Sequence, residues 1–317
     1  MLGASSDWRA LYPFQSHWLN RTGLRLHYLD EGSGPPVLML HGNPTWSFYY
    51  RELVRALAPT HRCIVPDHIG CGLSDKPPAG RYPYTLDARV ADVEALLDHL
   101  DIRDNLTLVL HDWGGMIGGT VAVRRPERIS RMVILNTAAF LLPTGKPLPM
   151  RLRVLRDGGP LAKLMVQGMN LFAAPAVRMA SAKGLPRDVA AGLLAPYDSW
   201  ANRIATLRFV QDIPLAPGDA SYNTALHTQE NLDRLADKPM LICWGMKDFV
   251  FDSNFLAEWR RRFPRAAVHT FPDAGHYVLE DARDEVIERV RAFLPDARAH
   301  TTPSDAMRAR AAPESVS

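Results

Sequence analysis

Cysteine is scarce in this chain, with only three residues among 317. The odd count excludes complete pairing, and Cys63 and Cys243 lie within apolar segments typical of core strands, so a disulfide framework is not expected. A reducing compartment suits such thiols, and we expect the cytoplasm. No apolar run reaches the roughly 18 residues of a membrane-spanning helix, and the start of the chain is polar, so neither a transmembrane segment nor a secretory signal is predicted.

The chain also lacks internal repeats, a glycine-rich phosphate loop and clustered metal ligands. We therefore expect no cofactor and no metal. A net charge of +3 from scattered basic residues does not predict nucleic acid as a partner. The hydrophobic content of 47% is ordinary for a globular protein, and the length fits one large domain or a domain with an insertion.

The most informative segment is a strand followed by a helix with Asp112 in the turn between them. Residues 106–110 form a short apolar run typical of a buried parallel strand. Gly114 and Gly115 are the small residues that a nucleophile elbow needs for close packing of helix and strand. Leu110 departs from the small residue usual two positions before the nucleophile. The alternative is that Asp112 only caps the helix.

An elbow nucleophile requires an acid and then a histidine later in the chain, each directly after a strand. Asp248 follows the apolar segment 239–244, and His276 follows the segment 267–271. Both lie where open α/β sheets form their sites, at the carboxyl ends of strands. Each residue alone is typical of a surface turn. Together with Asp112, in this order, they predict a catalytic triad.

A further apolar segment, residues 37–40, leads into a loop that contains Asn43 and Pro44. This loop is expected beside Asp112, where its backbone and the amide of Trp113 predict an oxyanion hole. The side-chain N–H groups of Asn43 and Trp113 are two more donors for a single anion. The alternatives are an ordinary turn at Asn43 and a core aromatic at Trp113.

Strands and helices alternate along most of the chain, which predicts an α/β fold with a mainly parallel central sheet and helices on both faces. Strands are predicted at residues 25–28, 37–40, 61–65, 106–110, 132–135, 240–244 and 267–271. Helices are predicted at residues 51–57, 86–100, 116–123 and 285–294.

The alternation stops between residues 135 and 239, a stretch too long for a structureless loop. Residues 151–179 and 188–210 are expected to be helical, with interruptions at glycines and prolines. We predict a helical cap, residues 139–221, inserted into a core of residues 15–138 and 222–295.

The composition of the cap predicts its ligand. Its many Met and Leu side chains suit a flexible apolar molecule, so a hydrophobic small-molecule substrate is expected. Arg151, Arg153 and Arg156 form a basic edge, either a solvated helix face or a contact for a partner or a membrane surface. The last segment, residues 296–317, is predicted to be a disordered tail.

Five motifs resemble the haloalkane dehalogenase group of the α/β-hydrolase superfamily, over roughly residues 15–295. They are His41-Gly42-Asn43-Pro44, residues 66–77, His111-Asp112-Trp113-Gly114-Gly115, Gly245-Met246-Lys247-Asp248 and Ala274-Gly275-His276. The resemblance implies an α/β-hydrolase fold, with Asp112 as nucleophile, Asp248 as acid and His276 as base. It also implies that Asn43 and Trp113 stabilise the anion.

Within that group, residues 43–51, 68–71 and 245–252 resemble the β-lactone decarboxylases of bacterial long-chain olefin biosynthesis. This implies conversion of long-chain cis-β-lactones to cis-alkenes and carbon dioxide, through a covalent intermediate on Asp112. It also implies a multi-enzyme complex with other enzymes of that pathway. Composition and spacing do not separate this activity from haloalkane hydrolysis through an alkyl-aspartyl ester.

An aspartate nucleophile suits both reactions, because a carboxylate with a reference pKa of about 3.9 attacks without a base. Attack on a lactone is expected at the carbonyl, and attack at the ring sp3 carbon stays open. An epoxide hydrolase is a weaker alternative, since it needs two cap tyrosines and the cap has Tyr197 with Tyr222 only at its edge. A non-catalytic ligand receptor is a further alternative, because fold does not fix function.

Overall fold

A computed structural model describes residues 7–295 of the chain. Its centre is an eight-stranded sheet in the order β1-β2-β4-β3-β5-β6-β7-β8. The strands are β1 (His17–Arg21), β2 (Leu24–Glu31), β3 (Pro36–Leu40), β4 (Arg62–Pro66), β5 (Leu106–Asp112), β6 (Ile129–Thr137), β7 (Met240–Gly245) and β8 (Ala267–Phe271). β2 pairs antiparallel with β1 and β4, and every other pairing is parallel. The predicted mainly parallel sheet is confirmed.

The helices fall between the strands. They are α1 (Arg51–Leu57), α2 (Leu86–His99), α3 (Trp113–Arg124), α4 (Met150–Asp157), α5 (Gly159–Lys163), α6 (Ala173–Met179), α7 (Arg187–Leu194), α8 (Ile204–Gln211), α9 (Tyr222–Glu230), α10 (Ser253–Arg262), α11 (Val278–Asp281) and α12 (Arg283–Phe293). α1, α2 and α12 match their predicted bounds within two residues. α3 begins three residues before its predicted start, directly after Asp112.

The sequence does not predict β1, and the reason is its position at the edge of the sheet. Its side chains alternate between half-buried and exposed positions, and they include the polar Asn20 and Arg21. Thr22 and Gly23, with φ of 51° and 82°, form the two-residue turn into β2. The strand is therefore marked by its turn and not by an apolar run.

Both faces of the sheet are covered, which explains the continuous apolar runs of the central strands. Successive strand residues point to opposite faces. Leu38 and Leu40 of β3 belong to the apolar cluster that includes α2 and α3 side chains. Val37 and Met39 belong to the cluster that includes α1 and α12 side chains. β5, at the middle of the sheet, is buried over its whole length.

The segment between β6 and β7 contains helices α4 to α9, most of them short. We use "cap" for residues 139–221, the predicted insertion, whose boundaries stay a prediction. Gly158 separates α4 from α5, Pro160 lies in the first turn of α5, and a Cβ at residue 158 would meet the carbonyl of Val154. The cap has a small apolar cluster of its own, formed by Leu155, Ala162, Val166, Leu207 and Val210.

The sequence also predicts no membrane-spanning segment, unpaired cysteines and a C-terminal tail. Within residues 7–295, no helix is both long and apolar enough to cross a membrane. The three cysteines are free, and burial raises the pKa of each thiol to about 12. The tail predicted at residues 296–317 lies outside the described residues.

Candidate active site

Asp112 lies at the junction of β5 and α3, with φ of 52° and ψ of −128°. A positive φ is uncommon for a residue other than glycine and stores strain. The helix and the sheet approach so closely that a Cβ at Gly114 would meet the carbonyl of Leu40. A Cβ at Gly115 would meet the side chain of Thr137. The turn is thus held in the strained form that a nucleophile elbow requires.

Leu110 occupies the position where a small residue is usual, and the structure supplies the missing space from the helix. Gly118 of α3 lies directly against this leucine, and a Cβ at residue 118 would collide with the leucine Cδ2. The glycine that permits close packing is therefore on α3, not on β5. The departure from the usual motif leaves the turn intact.

One carboxylate oxygen of Asp112 lies between two backbone donors. The amide of Asn43 donates to Oδ1 at 2.8 Å, and the amide of Trp113 donates to the same atom at 2.6 Å. These are the two backbone groups that the sequence predicts for an oxyanion hole. Because they hold Oδ1, the second oxygen, Oδ2, is the one available for attack.

His276 faces both acids of the predicted triad. Its Nε2 lies 3.3 Å from Oδ2 of Asp112, and its Nδ1 donates to Oδ2 of Asp248 at 2.8 Å. Burial would lower the pKa of His276, but the negative charge of Asp248 and the hydrogen bond to Asp112 outweigh it and raise the pKa to about 10. The ring is therefore an imidazolium near neutral pH.

The same contacts act on the pKa of Asp112. Burial would raise this pKa, whereas the hydrogen bond and charge of His276, together with the amide of Asn43, lower it below the usual value. The lowering contributions prevail. Asp112 is therefore an ionised carboxylate in a buried site, as a nucleophile must be.

Asp248 is fixed by donors on two sides. The amides of Val250 and Phe251 donate to its Oδ1 at 2.7 and 3.0 Å. The side chain of Asn136, near the end of β6, donates to its Oδ2 at 3.0 Å. Asn136 also accepts from the amide of Gly245, which ties it to β7. Asn136 is not among the predicted site residues, although its place near the carboxyl end of a central strand was a signal.

His111 is a second residue that the sequence analysis missed. It is fully buried beside Asp112, and its Nε2–H donates to the backbone carbonyl of His276 at 2.9 Å. Burial, and then the positive charge of His276, lower its pKa to about 3. A neutral His111 thus fixes the loop that carries His276. A histidine inside an otherwise apolar strand was the available signal.

The side chains of Asn43 and Trp113 line the same cavity as Asp112. The Nδ2 of Asn43 donates to the carbonyl of Thr206 in α8 at 2.9 Å, which uses one of its two N–H bonds. The indole of Trp113 packs against Phe209, with ring centroids 5.4 Å apart. The structure therefore places both side chains in the cavity that Asp112 lines, and Thr206 of the cap binds the amide of Asn43.

The cavity above Asp112 has a volume of about 340 Å³. Its polar lining consists of few side chains, chiefly Asn43, Asp112, His276, Lys146 and Arg151. The remaining walls are apolar and come from both core and cap, among them Met116, Leu141, Leu142, Leu152, Leu155, Leu171, Phe172, Met179, Val210 and Phe255. Such walls suit an apolar molecule that carries one polar group.

The two tyrosines considered for an epoxide hydrolase are not among the described residues that line this cavity. The hydroxyl of Tyr197 donates to the carbonyl of Thr45. Tyr222 opens α9, outside the cavity lining. The geometry therefore disfavours the epoxide hydrolase alternative.

The sheet order, the elbow and the three ordered residues at strand ends together define a class. The chain belongs to the α/β-hydrolase fold family, whose family model matches residues 35–282.

More specific similarity comes from individual proteins. The chain is 55% identical to a cis-3-alkyl-4-alkyloxetan-2-one decarboxylase of Shewanella oneidensis over 90% of both chains. It is 46% identical to a protein of the same name from Xanthomonas campestris, over 86% of this chain and 93% of that one. A solved haloalkane dehalogenase from Bradyrhizobium elkani is 27% identical with a TM-score of 0.77, covering 88% of this chain and 96% of that one.

Proposed function

We propose that this protein decarboxylates cis-3-alkyl-4-alkyloxetan-2-ones, which are cis-β-lactones with two alkyl substituents, to cis-alkenes and carbon dioxide. The observation that carries the proposal is the 55% identity to a decarboxylase of that name over 90% of both chains. The apolar cavity above Asp112 supports it, because the substrate has one polar ring and two apolar arms. Long alkyl chains, as in olefin biosynthesis, suit those walls.

Atom balance favours attack by Asp112 at the sp3 ring carbon that bears the ring oxygen. Attack at the carbonyl would leave that oxygen on a carbon that must become part of the alkene. Attack at the sp3 carbon breaks its bond to oxygen and gives an alkyl-aspartyl ester with a free substrate carboxylate. That carboxylate then leaves as carbon dioxide, its bonding electrons form the double bond, and Asp112 departs as a carboxylate.

Stereochemistry agrees with this route. Displacement inverts the attacked carbon, and an antiperiplanar elimination then removes carbon dioxide and Asp112 from opposite faces. The combined result is the same as loss of the ring oxygen and the carboxyl carbon from one face of the lactone. A cis-lactone therefore gives a cis-alkene. No water is consumed, which distinguishes the reaction from ester hydrolysis.

The other site residues take roles that match their positions. The side-chain N–H groups of Asn43 and Trp113 stabilise the carboxylate released from the ring. The backbone amides of the same two residues hold Oδ1 of Asp112, so that Oδ2 attacks. The His276 imidazolium, oriented by Asp248, stabilises the Asp112 carboxylate as it departs.

The first experiment incubates purified protein with a long-chain cis-β-lactone and extracts at low temperature, which avoids thermal decarboxylation. We expect cis-alkene from the wild type and none above background from Asp112→Ala. The isosteric Asp112→Asn variant, which tolerates a positive φ, is expected to lose at least about 10⁴-fold in turnover. A β-hydroxy acid as the product would contradict the decarboxylase, and activity in Asp112→Asn would contradict the nucleophile.

Haloalkane hydrolysis is the second candidate, because a solved dehalogenase shares this fold with a TM-score of 0.77. Esterification of Asp112 would remove one carboxylate beside His276 and lower the pKa of the imidazolium. His276 would then activate water against the ester. In that case His276→Ala would accumulate an alkyl ester on Asp112, visible by mass spectrometry, and the wild type would release halide.

We further propose a multi-enzyme complex with the enzymes that form the lactone, in the cytoplasm. A strained apolar lactone is poorly suited to free diffusion in water, which favours direct transfer. The three free thiols suit a reducing compartment. Co-purification of a tagged chain with a lactone-forming enzyme from its own cells tests the complex.

A further inference from the structure

Charge is unevenly distributed along the chain. Residues 150–183 contain six Lys and Arg side chains against one acidic residue, Asp157. Their net charge of +5 exceeds the +3 of the whole chain, so the remainder sums to −2. This basic segment is the part of the cap that contains α4, α5 and α6. The positive charge of the chain is therefore concentrated in this segment, where Arg156 is paired with Asp157 and Asp219.

The same segment exposes large apolar side chains. Met150 is 72% exposed, and Val154, Leu171 and Met179 are each about two-fifths exposed. Leu161, Leu164 and Met169 are more than half exposed. Single exposed apolar residues are ordinary, but a cluster of this kind marks an interaction surface.

Some residues of this segment lie at the opening of the active-site cavity. Four side chains line the cavity and are also exposed to solvent, which places them at its mouth: Arg151, Leu171 and Met179 of the segment, and Phe249 of the loop after β7. Arg151 Nη1 lies 3.9 Å from Met179 Sδ. Met150 precedes this arginine on α4, and Val154 follows Met150 by one turn. We call Met150, Arg151, Val154, Leu171, Met179 and Phe249 the mouth surface.

A neighbouring part of the cap combines an indole with a lysine. Leu164 and Trp200 both border Gly168, where a Cβ would lie 3.1 Å from each side chain. The ammonium of Lys163 lies 5.7 Å from the Trp200 ring. Amphipathic rings and basic side chains around exposed aliphatic groups are the composition of proteins that bind at the membrane interface.

We propose that the mouth surface docks on an anionic phospholipid bilayer, with the cavity opening directed at the lipid. Its apolar side chains then enter the boundary between headgroups and acyl chains, and the surrounding arginines and lysines contact the lipid phosphates. A second copy of this chain fits less well, because two strongly basic faces would repel each other across a symmetric interface. Docking is independent of the reaction, whereas direct entry of an apolar lactone from the bilayer rests on the proposed function.

The test measures binding of the full chain by flotation with vesicles of phosphatidylcholine, with and without phosphatidylglycerol. We expect binding to the anionic vesicles, weaker binding to the neutral ones, and a decrease in about 0.5 M salt. The double variant Met150→Ser/Val154→Ser changes two mouth-surface residues that do not line the cavity. It is expected to bind at least about tenfold more weakly.

The charge component has its own variant. Arg153→Glu on α4 reverses one charge in the basic segment and is expected to weaken binding about tenfold. Two matched controls lie in the core: Trp18→Ser removes a side chain that is 48% exposed, and Arg260→Glu reverses an exposed charge on α10. Both controls are expected to bind within about twofold of wild type. Thermal unfolding of all variants checks that they are folded.

Three outcomes would overturn the proposal. The first is no binding of the wild type to anionic vesicles. The second is binding that the cap variants and the core controls change equally. The third is a wild-type dimer in sedimentation velocity that Met150→Ser/Val154→Ser dissociates, without vesicle binding, which would assign the surface to a second copy. The flotation test measures binding and not activity. A negative result would therefore contradict membrane docking without contradicting the proposed decarboxylase activity.

Discussion

Core and cap meet at one cavity, but they contribute different kinds of side chain. The core supplies Asp112, Asp248 and His276, each buried and held by hydrogen bonds to strand ends and neighbouring loops. The cap supplies mainly leucines, prolines and other apolar side chains, and it exposes several of them. Bond making demands fixed atoms, whereas holding alkyl chains demands only apolar surface of adequate size. The core should therefore tolerate few substitutions and the cap many.

A pair of glycines tests this difference most strongly. Gly114 lies against the carbonyl of Leu40 in the core, so Gly114→Ala is expected to cost about 3 kcal/mol of unfolding free energy. At Gly218 in the cap, an added methyl group would have no atom within 4 Å, and Gly218→Ala is expected to stay within about 0.5 kcal/mol. Urea unfolding of both variants measures this. Equal losses of unfolding free energy in the two variants would contradict the proposed difference between core and cap.

The next effect is a pH dependence that belongs to the core. The folded pKa of His276, about 10, exceeds its ordinary value of 6.5, so the native state binds this proton more tightly. Its contribution to stability is fully present below pH 6.5 and is lost as pH rises to about 10. Unfolding free energies across that range should fall less steeply in His276→Gln than in wild type. An unchanged slope would contradict the raised pKa.

The smallest expected effect concerns the cap. Leu171 is 39% exposed at the mouth of the cavity, and Leu73, in the core and outside the cavity lining, is also 39% exposed. Leu171→Ser is expected to raise KM for a long-chain lactone several-fold, with kcat and unfolding free energy nearly unchanged. Leu73→Ser should leave KM unchanged. A loss of kcat in Leu171→Ser would mean that the cap also positions reacting atoms.

The same contrast explains which parts of the structure can be predicted from sequence. Central strands such as β5 and β7 are predictable because burial on both faces requires a continuous apolar run. β1 is not, because it is half-exposed and polar. In the cap, glycines and prolines indicate where helices are interrupted, but packing within the cap determines where each short helix starts.

The predicted site follows the same rule. Asp112, Asp248 and His276 are predictable because each follows a strand in a fixed order, and the structure brings them together. Asn136 of β6 supports Asp248, which follows the neighbouring strand β7, and His111 of β5 bonds to the loop that follows β8. Such contacts depend on strand order, which local sequence does not reveal. The bond between Asn43 and Thr206 is equally hard to predict, since 163 residues separate the partners and it joins the core to the cap.

The bond between Asn43 and Thr206 connects the position of the cap to the predicted active site. Thr206 belongs to α8, so any displacement of this helix that breaks the bond also frees the side-chain amide of Asn43, which lines the cavity with Asp112. The two regions are then thermodynamically linked, and linkage is reciprocal. A ligand that binds more tightly when Thr206 holds the Asn43 amide would therefore also stabilise α8 in this position, and by the same free energy.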